Sequence, residues 1–431
     1  MEEQNLIPHL FRTEYRKIVS VLCKRFGFAH MEAAEDIASD TFLAAARTWS
    51  IEGPPGNPTA WLYLVAKNKA KTVLQRDQVF LKKVAPAIKN ELAGSAPTPP
   101  GSSPAPAGSV FDPEIDLSPT GIEDSQLQMM FAICSPLIPP EAQIGLSLRI
   151  LCGFGIEEIA DAFLTNKETI NKRLFRAREK LREAAIRIEM PPPAEIEDRL
   201  ETVLRTIYLL FNEGYYSESQ NTILRKDLCL EAIRLCHMLA DNPATDKPMV
   251  NALLALMCFH ASRFEARVDR NGGIVLYAHQ DTSLWNIGLI AQGVDYLHRA
   301  AQGNTFSKYH LEAAIAYWST QKDDTAEKWE QILQYYNLLL QLEYSPIAAL
   351  NRTYALGRAN GKQEAIIQAE KLSLTDNPFY FALLGELYTD IDDARAIGHF
   401  GQAMALARTA ADKQLMQNKI TQLCQRSETP R

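Results

Sequence analysis

Gly155–Ile188 reads GIEEIADAFLTNKETINKRLFRAREKLREAAIRI, and its spacing predicts two helices joined by a tight turn, the second densely basic. In that second helix Ile170, Leu174, Ala177 and Leu181 recur at four, three and four residues, so they form one apolar stripe. Glu168, Thr169, Asn171, Lys172 and Arg176 fall away from the stripe near the helix start, and Arg173, Arg178, Lys180 and Arg182 lie along its flanks. Ile156, Ile159, Ala160 and Phe163 give the first helix a packing face. Thr165 stands where a hydroxyl accepts an amide hydrogen from the first turn of the second helix, as an N-cap does. Such a pair is a helix-turn-helix, whose second helix enters the major groove by its N-terminal end while basic flanks hold phosphates. The same pattern also fits a solvated helix laced with salt bridges, and the flanking sequence has to choose between them.

At 431 residues the chain is long enough for about three domains. No apolar run reaches the roughly 18 residues that a bilayer demands, the longest candidate being Met249 to Ala261. The start, MEEQNLIPHL, is acidic and lacks the basic opening and apolar core of an export signal. Seven cysteines (23, 134, 152, 229, 236, 258 and 424) form no CxxC pair, which fits a reducing compartment and argues against a disulfide framework or a zinc site. The expectation is a cytoplasmic protein with no membrane contact.

A net charge of −7 on its own opposes a nucleic-acid partner, but its distribution matters more than its sum. Residues 1–190 hold 22 basic and 23 acidic side chains, so most of the acidic excess lies downstream. Lys67, Lys69, Lys71, Arg76, Lys82, Lys83 and Lys89 stand against Asp77 alone, and between Lys167 and Arg187 eight bases face three acids. Two positive stretches separated by an acidic one suit a protein that touches DNA at two places. They equally suit two solvated helices.

Upstream, the periodicity predicts a helix from about Asn5 to Phe26, with Pro8 tolerated in its first turn. A second runs from about Met31 to Trp49, with Ile37, Phe42, Ala45 and Trp49 inward and Glu32, Glu35, Asp36, Ser39 and Asp40 turned elsewhere. Asn57-Pro58 opens a third, reaching about Phe80, with Leu62, Val65, Ala66 and Val73 toward a core. Its Lys67, Asn68, Lys71 and Gln75 fall on the other side, and Trp61, Tyr63 and Phe80 interleave with the bases. That mixture serves single-stranded nucleic acid, whose bases stack on aromatic faces; it also serves an ordinary core. Ala93 to Ser109 is a Pro/Ala/Gly/Ser linker. Helical periodicity resumes at Ile122–Ile133 and again at Glu141–Cys152.

These residues carry a resemblance. AAEDIASDTFLAAARTW (Ala33–Trp49), NPTAWLYLVAKNKAKTVLQR (Asn57–Arg76) and ETINKRLFRAREKL (Glu168–Leu181) occur in the order and spacing of a bacterial RNA polymerase sigma factor of the extracytoplasmic-function, sigma-70-like group. The resemblance covers residues 5–186 and implies that the first block binds core RNA polymerase, the second recognises and opens the −10 promoter element, and the third reads the −35 element. Carried over, it places Asp36, Asp40, Phe42 and Leu43 at the polymerase. It places Asn57, Trp61, Lys67, Asn68, Lys71 and Arg76 near the −10 strand, and Glu168, Thr169, Asn171, Lys172, Arg173, Arg176 and Arg178 at the −35 duplex. The chain departs from the group at Ser39-Asp40, where Gln-Glu is common, and at Lys67 and Lys69, where arginines are usual; Arg and Lys are not equivalent donors. Docking on polymerase aligns two weak DNA contacts on one promoter, so each raises the effective concentration of the other.

From Pro191 onward the chain reads as successive amphipathic helices: Glu195–Tyr215, Ile223–Ala240, Lys247–Phe264, Ser283–Gln302, Lys308–Ser319, Ala326–Leu342, Ile347–Ala359, Lys362–Leu372, Pro378–Thr389, Asp393–Ala410 and Asp412–Gln425. Ser345-Pro346 and Asn377-Pro378, 32 residues apart, each open a helix pair. Gly385, Tyr388, Ala396, Phe400 and Ala403 follow the small/large pattern of a tetratricopeptide repeat; in the earlier copy Asn351 takes the glycine position, with Tyr354, Ala365 and Ala369 consistent. Such solenoids present a concave surface to proteins or peptides. YLLFNEGYYSES (Tyr208–Ser219), LCLEAIRLCHML (Leu228–Leu239) and ARVDRNGGIVLYAHQDTSLWN (Ala266–Asn286) resemble the C-terminal extension of one subgroup of those sigma factors, which implies a regulatory role. That subgroup commonly has Asp-Gln-Asp-Arg where this chain has His279-Gln280-Asp281-Thr282.

Asn271-Gly272-Gly273 predicts a small hairpin, and Gly214 a helix C-cap beside Glu213. The sequence holds no HExxH, no GxSxG and no phosphate-loop pattern, so neither a metal, a cofactor nor catalysis is expected. The resulting expectation is an all-α chain. Residues 1–85 form a polymerase and −10 module, 86–121 a flexible linker, 122–190 a helix-turn-helix module, and 191–431 a tetratricopeptide-like regulatory extension with a small hairpin. Its partners are core RNA polymerase, promoter DNA and a regulatory protein or peptide on the repeats. Two alternatives remain: a stand-alone regulator with a ligand-sensing C-terminal half, and an enzyme concealed in that half.

Overall fold

The computed structural model describes residues 6–79, 115–163, 165–215, 225–268, 275, 277–303, 306–407 and 410–428. The architecture is all-helical and divides into two compact units, Met1–Thr206 and Ile207–Arg431. The linker Ala93–Ser109 lies outside the described residues, as do Phe80 and Asn271-Gly272-Gly273. At the latter's margin Val275 N donates to Arg267 O (2.9 Å).

The first unit begins with α1 (Leu6–Phe26), α2 (Met31–Glu52) and α3 (Pro58–Val79). Their apolar faces are those the spacing predicts: Tyr15, Ile18, Val19 and Leu22 on α1, Ile37, Phe42, Ala45 and Trp49 on α2, Leu62 and Ala66 on α3, all buried. Gly53, at φ +78°, ends α2 by returning its amide to Trp49 O (3.0 Å), a conformation glycine adopts without a Cβ penalty. Asn57 caps α3, its Oδ1 accepting from Ala60 N at 3.0 Å.

Helix α4 (Pro119–Ile133) starts behind Ser118, whose hydroxyl accepts from Gly121 N, so regular structure begins three residues before the expected Ile122. The expected helix Glu141–Cys152 is instead α5 (Pro140–Leu146) running into a π-helical turn, Ser147–Leu151. Ser147 Oγ donates to Gln143 O (2.9 Å), and Cys152 N bonds five residues back to Ser147 O (3.1 Å). Hydroxyl competition for the helical carbonyls accompanies the wider turn, which carries Arg149. Helices α6 (Ile156–Ala162) and α7 (Lys167–Glu183) follow. The segments expected as separate modules pack together, with α1 against both α4 and the π turn. The opening of α8 (Ile196–Tyr215) belongs to the same unit: Arg199 donates to Phe131 O (2.6 Å) and Thr206 to Gln143 Oε1 (2.8 Å). The unit therefore closes well past Pro191.

The second unit holds the rest of α8, then α9 (Lys226–Asp241), α10 (Pro248–Ala261), α11 (Ile287–Ala300) and α12 (Lys308–Ser319). It continues with α13 (Ala326–Leu342), α14 (Pro346–Ala359), α15 (Lys362–Leu372), α16 (Pro378–Tyr388), α17 (Asp393–Leu406) and α18 (Ala410–Glu428). Helix α10, apolar on every side, is its central rod and packs on α9, α11 and α12. Gly214 is no C-cap. It sits inside α8, where a Cβ would meet Arg225 O and Cys229 Sγ at 2.8 Å, so the missing side chain serves close approach. Gly385 does the same for the last helix pair, its α-carbon lying over the Phe400 ring, which a Cβ would meet at 2.6 Å. In the preceding pair Asn351 is exposed; Thr353, buried, is the small residue facing inward 32 positions before Gly385.

Glu312 on α12 accepts from the Tyr208 hydroxyl at 3.2 Å. Burial pushes its carboxyl up to about 7, against the opposing pull of Lys308 and Tyr208. A carboxyl raised in the folded state contributes its stability fully below the unfolded value of 4.5 and loses it as pH rises through about 7. Glu312→Gln is therefore expected to melt higher than the parent at pH 8 and at the same temperature near pH 4.5. Gly385→Ala is expected to cost about 1–3 kcal/mol by overpacking against Phe400, read as a lower urea midpoint.

Candidate nucleic-acid interface

Helix α7 buries the predicted stripe completely: Ile170, Leu174, Ala177 and Leu181 are each at most 3% exposed. Its N-cap is Asn166, whose Oδ1 accepts from Thr169 N at 2.8 Å, and not the expected Thr165. Thr165 instead closes the preceding turn, its amide donating to Ala160 O at 2.9 Å. Both residues are capping types in adjacent positions, so only the backbone path separates them. Glu158 reaches back to Gly155 N (2.7 Å) and fixes the start of α6.

With the stripe buried, Glu168, Asn171, Lys172 and Arg176 stand exposed and Thr169 half-buried. Phe175, passed over in the sequence, is 58% exposed between Lys172 and Arg176. It follows the buried Leu174 directly, so the stripe that set the helix phase also placed it outside. Arg173 lies over the Phe163 ring with 5.4 Å to the centroid, a cation–π contact across the turn.

Arg178, expected at the −35 duplex, pairs with Glu35 in this structure. Its Nη2 donates to Glu35 Oε1 at 3.2 Å, and Arg149 Nε donates to the same oxygen at 3.0 Å. The three side chains are 13–22% exposed, so the attraction is little screened by water. One carboxylate of α2 thus ties the π turn and the basic helix to the first three helices. Beside it lies a cleft of about 440 Å³ bordered by Glu32, Asn171, Lys172 and Phe175. Glu35 reads in sequence as one more solvated acid, and nothing in the local spacing marks it.

On α2, Asp36, Asp40 and Leu43 are exposed, Leu43 at 49%. Phe42, placed with them by resemblance, is a core residue at 5% exposure, its ring edge-on to Phe11 at 5.1 Å. Asp40 faces Lys69 of α3 at 3.4 Å, an exposed pair. On α3, Asn68 is exposed and Lys67 and Lys71 half-buried; Arg76 is helical, its side chain undescribed. Trp61 packs edge-on against Trp49 at 5.3 Å, and Tyr63 donates to Glu14, so both aromatics also serve the interior. Asn57 accepts at the cap of α3 with its side-chain oxygen.

Among the described residues no group of His, Cys, Asp and Glu is arranged to hold a metal, and no helix is long and apolar enough to cross a membrane.

The three-helix opening coincides with a match to sigma-70 region 2 over residues 10–79, which supports a sigma-70-like factor that interacts with core RNA polymerase and promoter DNA. Residues 199–301 match a family of unknown function, DUF6596. The uncharacterized protein R00370 of Rhizobium meliloti (strain 1021) is 30% identical over 405 residues, covering 92% of this chain and 91% of its own length, and the chain belongs to the same family as that protein. No solved structure matches.

Removing one partner of a buried pair strands the others. Glu35→Ala is expected to raise the hydrogen-exchange rate of α7 amides at least several-fold, with α16 and α17 unchanged. Unaltered exchange in α7 would show that the contact holds nothing in place.

Proposed function

We propose that this chain is a sigma factor of the extracytoplasmic-function group, with a tetratricopeptide-like regulatory extension. The observation that carries the reading is the coexistence, in one unit, of a sigma-70 region 2 fold and a second, basic helix exposing Asn171, Lys172 and Arg176. In this reading α2 meets core polymerase through Asp36, Asp40 and Leu43, with Phe42 holding the helix in place from the core. Trp61, Lys67, Asn68, Lys71 and Arg76 of α3 take the −10 strand, for which stacking and cations are both needed, while Asn57 sets the start of α3. Helix α7 reads the −35 duplex, with Glu168, Thr169, Asn171 and Lys172 at base edges and Arg173 and Arg176 at phosphates.

Arg178 joins the phosphate contacts only after exchanging Glu35 for DNA, so the arrangement described above is a resting one. The second unit acts as the regulatory part, its paired helices offering the kind of surface that solenoids present to peptides. A stand-alone repressor has no use for a strand-opening helix, which favours the sigma reading.

The purified chain alone is expected to bind promoter DNA weakly at physiological salt, and core polymerase together with the chain to initiate at a defined promoter. Lys172→Ala with Arg176→Ala should lower initiation at that promoter and flatten the logarithmic salt dependence by about two. Tight sequence-specific binding without polymerase, or a holoenzyme that never incorporates the chain, would overturn the assignment.

A further inference from the structure

Around the ring of Tyr277, in the second unit, the structure gathers positive charge that its own carboxylates do not neutralise. Arg263 is 8% exposed and lies 5.5 Å from the ring centroid. Its one side-chain hydrogen-bond partner among the described residues is His260 Nδ1 at 3.5 Å, and its Nε is buried without an acceptor. Lys328 is 2% exposed, with Nζ 5.3 Å from the same ring. Among the described residues that ammonium donates to two neutral oxygens, Tyr277 Oη (2.8 Å) and Gln321 O (2.7 Å). Burial, reinforced by Arg263 and Arg358, holds it below its usual range, with Asp324 and the exposed Asp323 opposing.

Trp285 adds a third donor. Its ring centroid is 6.5 Å from that of Tyr277, it is 5% exposed, and its indole N–H is also buried without an acceptor. Arg358 completes the group, 5.3 Å over the Trp329 ring and bonded to Asp324. Asp324 accepts from Trp329 Nε1 as well (2.5 Å), so the nearest carboxylate is already engaged twice.

Three cations against Asp324, already engaged twice, and the exposed Asp323 leave a net positive charge among aromatic walls. Buried donors are nearly always satisfied, and an unpaired buried cation is costly, so such a cluster calls for an acceptor carrying negative charge. Guanidinium groups match phosphate oxygens in geometry. The approach is from the half-exposed Tyr277 and the Arg358 edge, whose side chain is 40% exposed.

We propose that Arg263, Lys328, Trp285 and Arg358 form a binding site for a phosphate group, free or on a small organic carrier. Trp285 and Arg263 would donate from one side and Lys328 from the other, placing a small-molecule input in the extension. The site stands independently of promoter recognition, since no residue of the first unit contributes to it.

The test is thermal melting of the full chain, without polymerase or DNA, against inorganic phosphate, glucose 6-phosphate and glucose, with ionic strength fixed by chloride. Phosphate or its ester is expected to raise the melting temperature by a few degrees and to saturate, while glucose does nothing. A stronger response to the ester identifies a carried phosphate, and a stronger response to phosphate identifies the free ion. Lys328→Met should abolish the shift yet melt no lower than the parent without phosphate, because it removes a buried cation with no carboxylate bonded to it. Lys322→Met, on the exposed surface, should retain the full shift. Should Lys328→Met fold poorly, equilibrium dialysis of labelled phosphate against the parent chain decides the matter: one saturable site is required. An absent or non-saturating response, or an equal response in parent and Lys328→Met, would overturn the proposal and leave the cluster a cation–π stack. Either result leaves the polymerase assignment untouched, because no transcription is read.

Discussion

A single carboxylate oxygen, Glu35 Oε1, receives Arg149 at 3.0 Å and Arg178 at 3.2 Å. That convergence ties α2 to the π turn and to α7. Two arginines so close repel each other unless a negative charge lies between them, and the low exposure of all three groups keeps water from doing that work. The π turn matters for the same reason, because it carries one of the two guanidinium groups and is itself sustained by a serine hydroxyl competing for a helical carbonyl. The first three helices and α7 are held together by this polar contact and by the apolar packing of α1 on α4.

Charge is partitioned in the same spirit. The chain is acidic overall, yet α7 turns Lys172 and Arg176 to solvent and α3 keeps Lys67, Lys69 and Lys71 along one stretch. Asp40 against Lys69 illustrates how little an exposed pair decides: it is open to water and worth at most about 1 kcal/mol. The buried Glu35 cluster and the exposed Asp40 pair are similar in sequence and opposite in consequence.

The second unit is built on close approach. Gly214, Gly293 and Gly385 each stand where a Cβ would press into a neighbour, Gly293 and Gly385 against the phenyl rings of Phe259 and Phe400. Helices brought this near leave little room for water, so polar groups trapped between them must find partners inside the protein. Glu312 responds by holding its proton; Arg263 and Lys328 respond by leaning on aromatic rings.

Most of the helices were legible from spacing alone, Lys308–Ser319, Ala326–Leu342 and Lys362–Leu372 to the residue. So was the buried stripe of α7, because a helix shows its period in every turn. The exposed face followed from that phase, and with it Lys172 and Arg176; the spacing likewise put Phe42 inward, where it lies, while the resemblance also placed it at the polymerase. What periodicity could not supply was any contact between residues far apart in the chain. Glu35 and Arg178 are separated by 143 positions and Arg263 and Lys328 by a loop and several helices, so no local pattern couples them. The local sequence determined where helices lie and which side faces inward; tertiary packing alone decided which charges were stripped of water, because desolvation depends on neighbours brought by the fold and not by the chain.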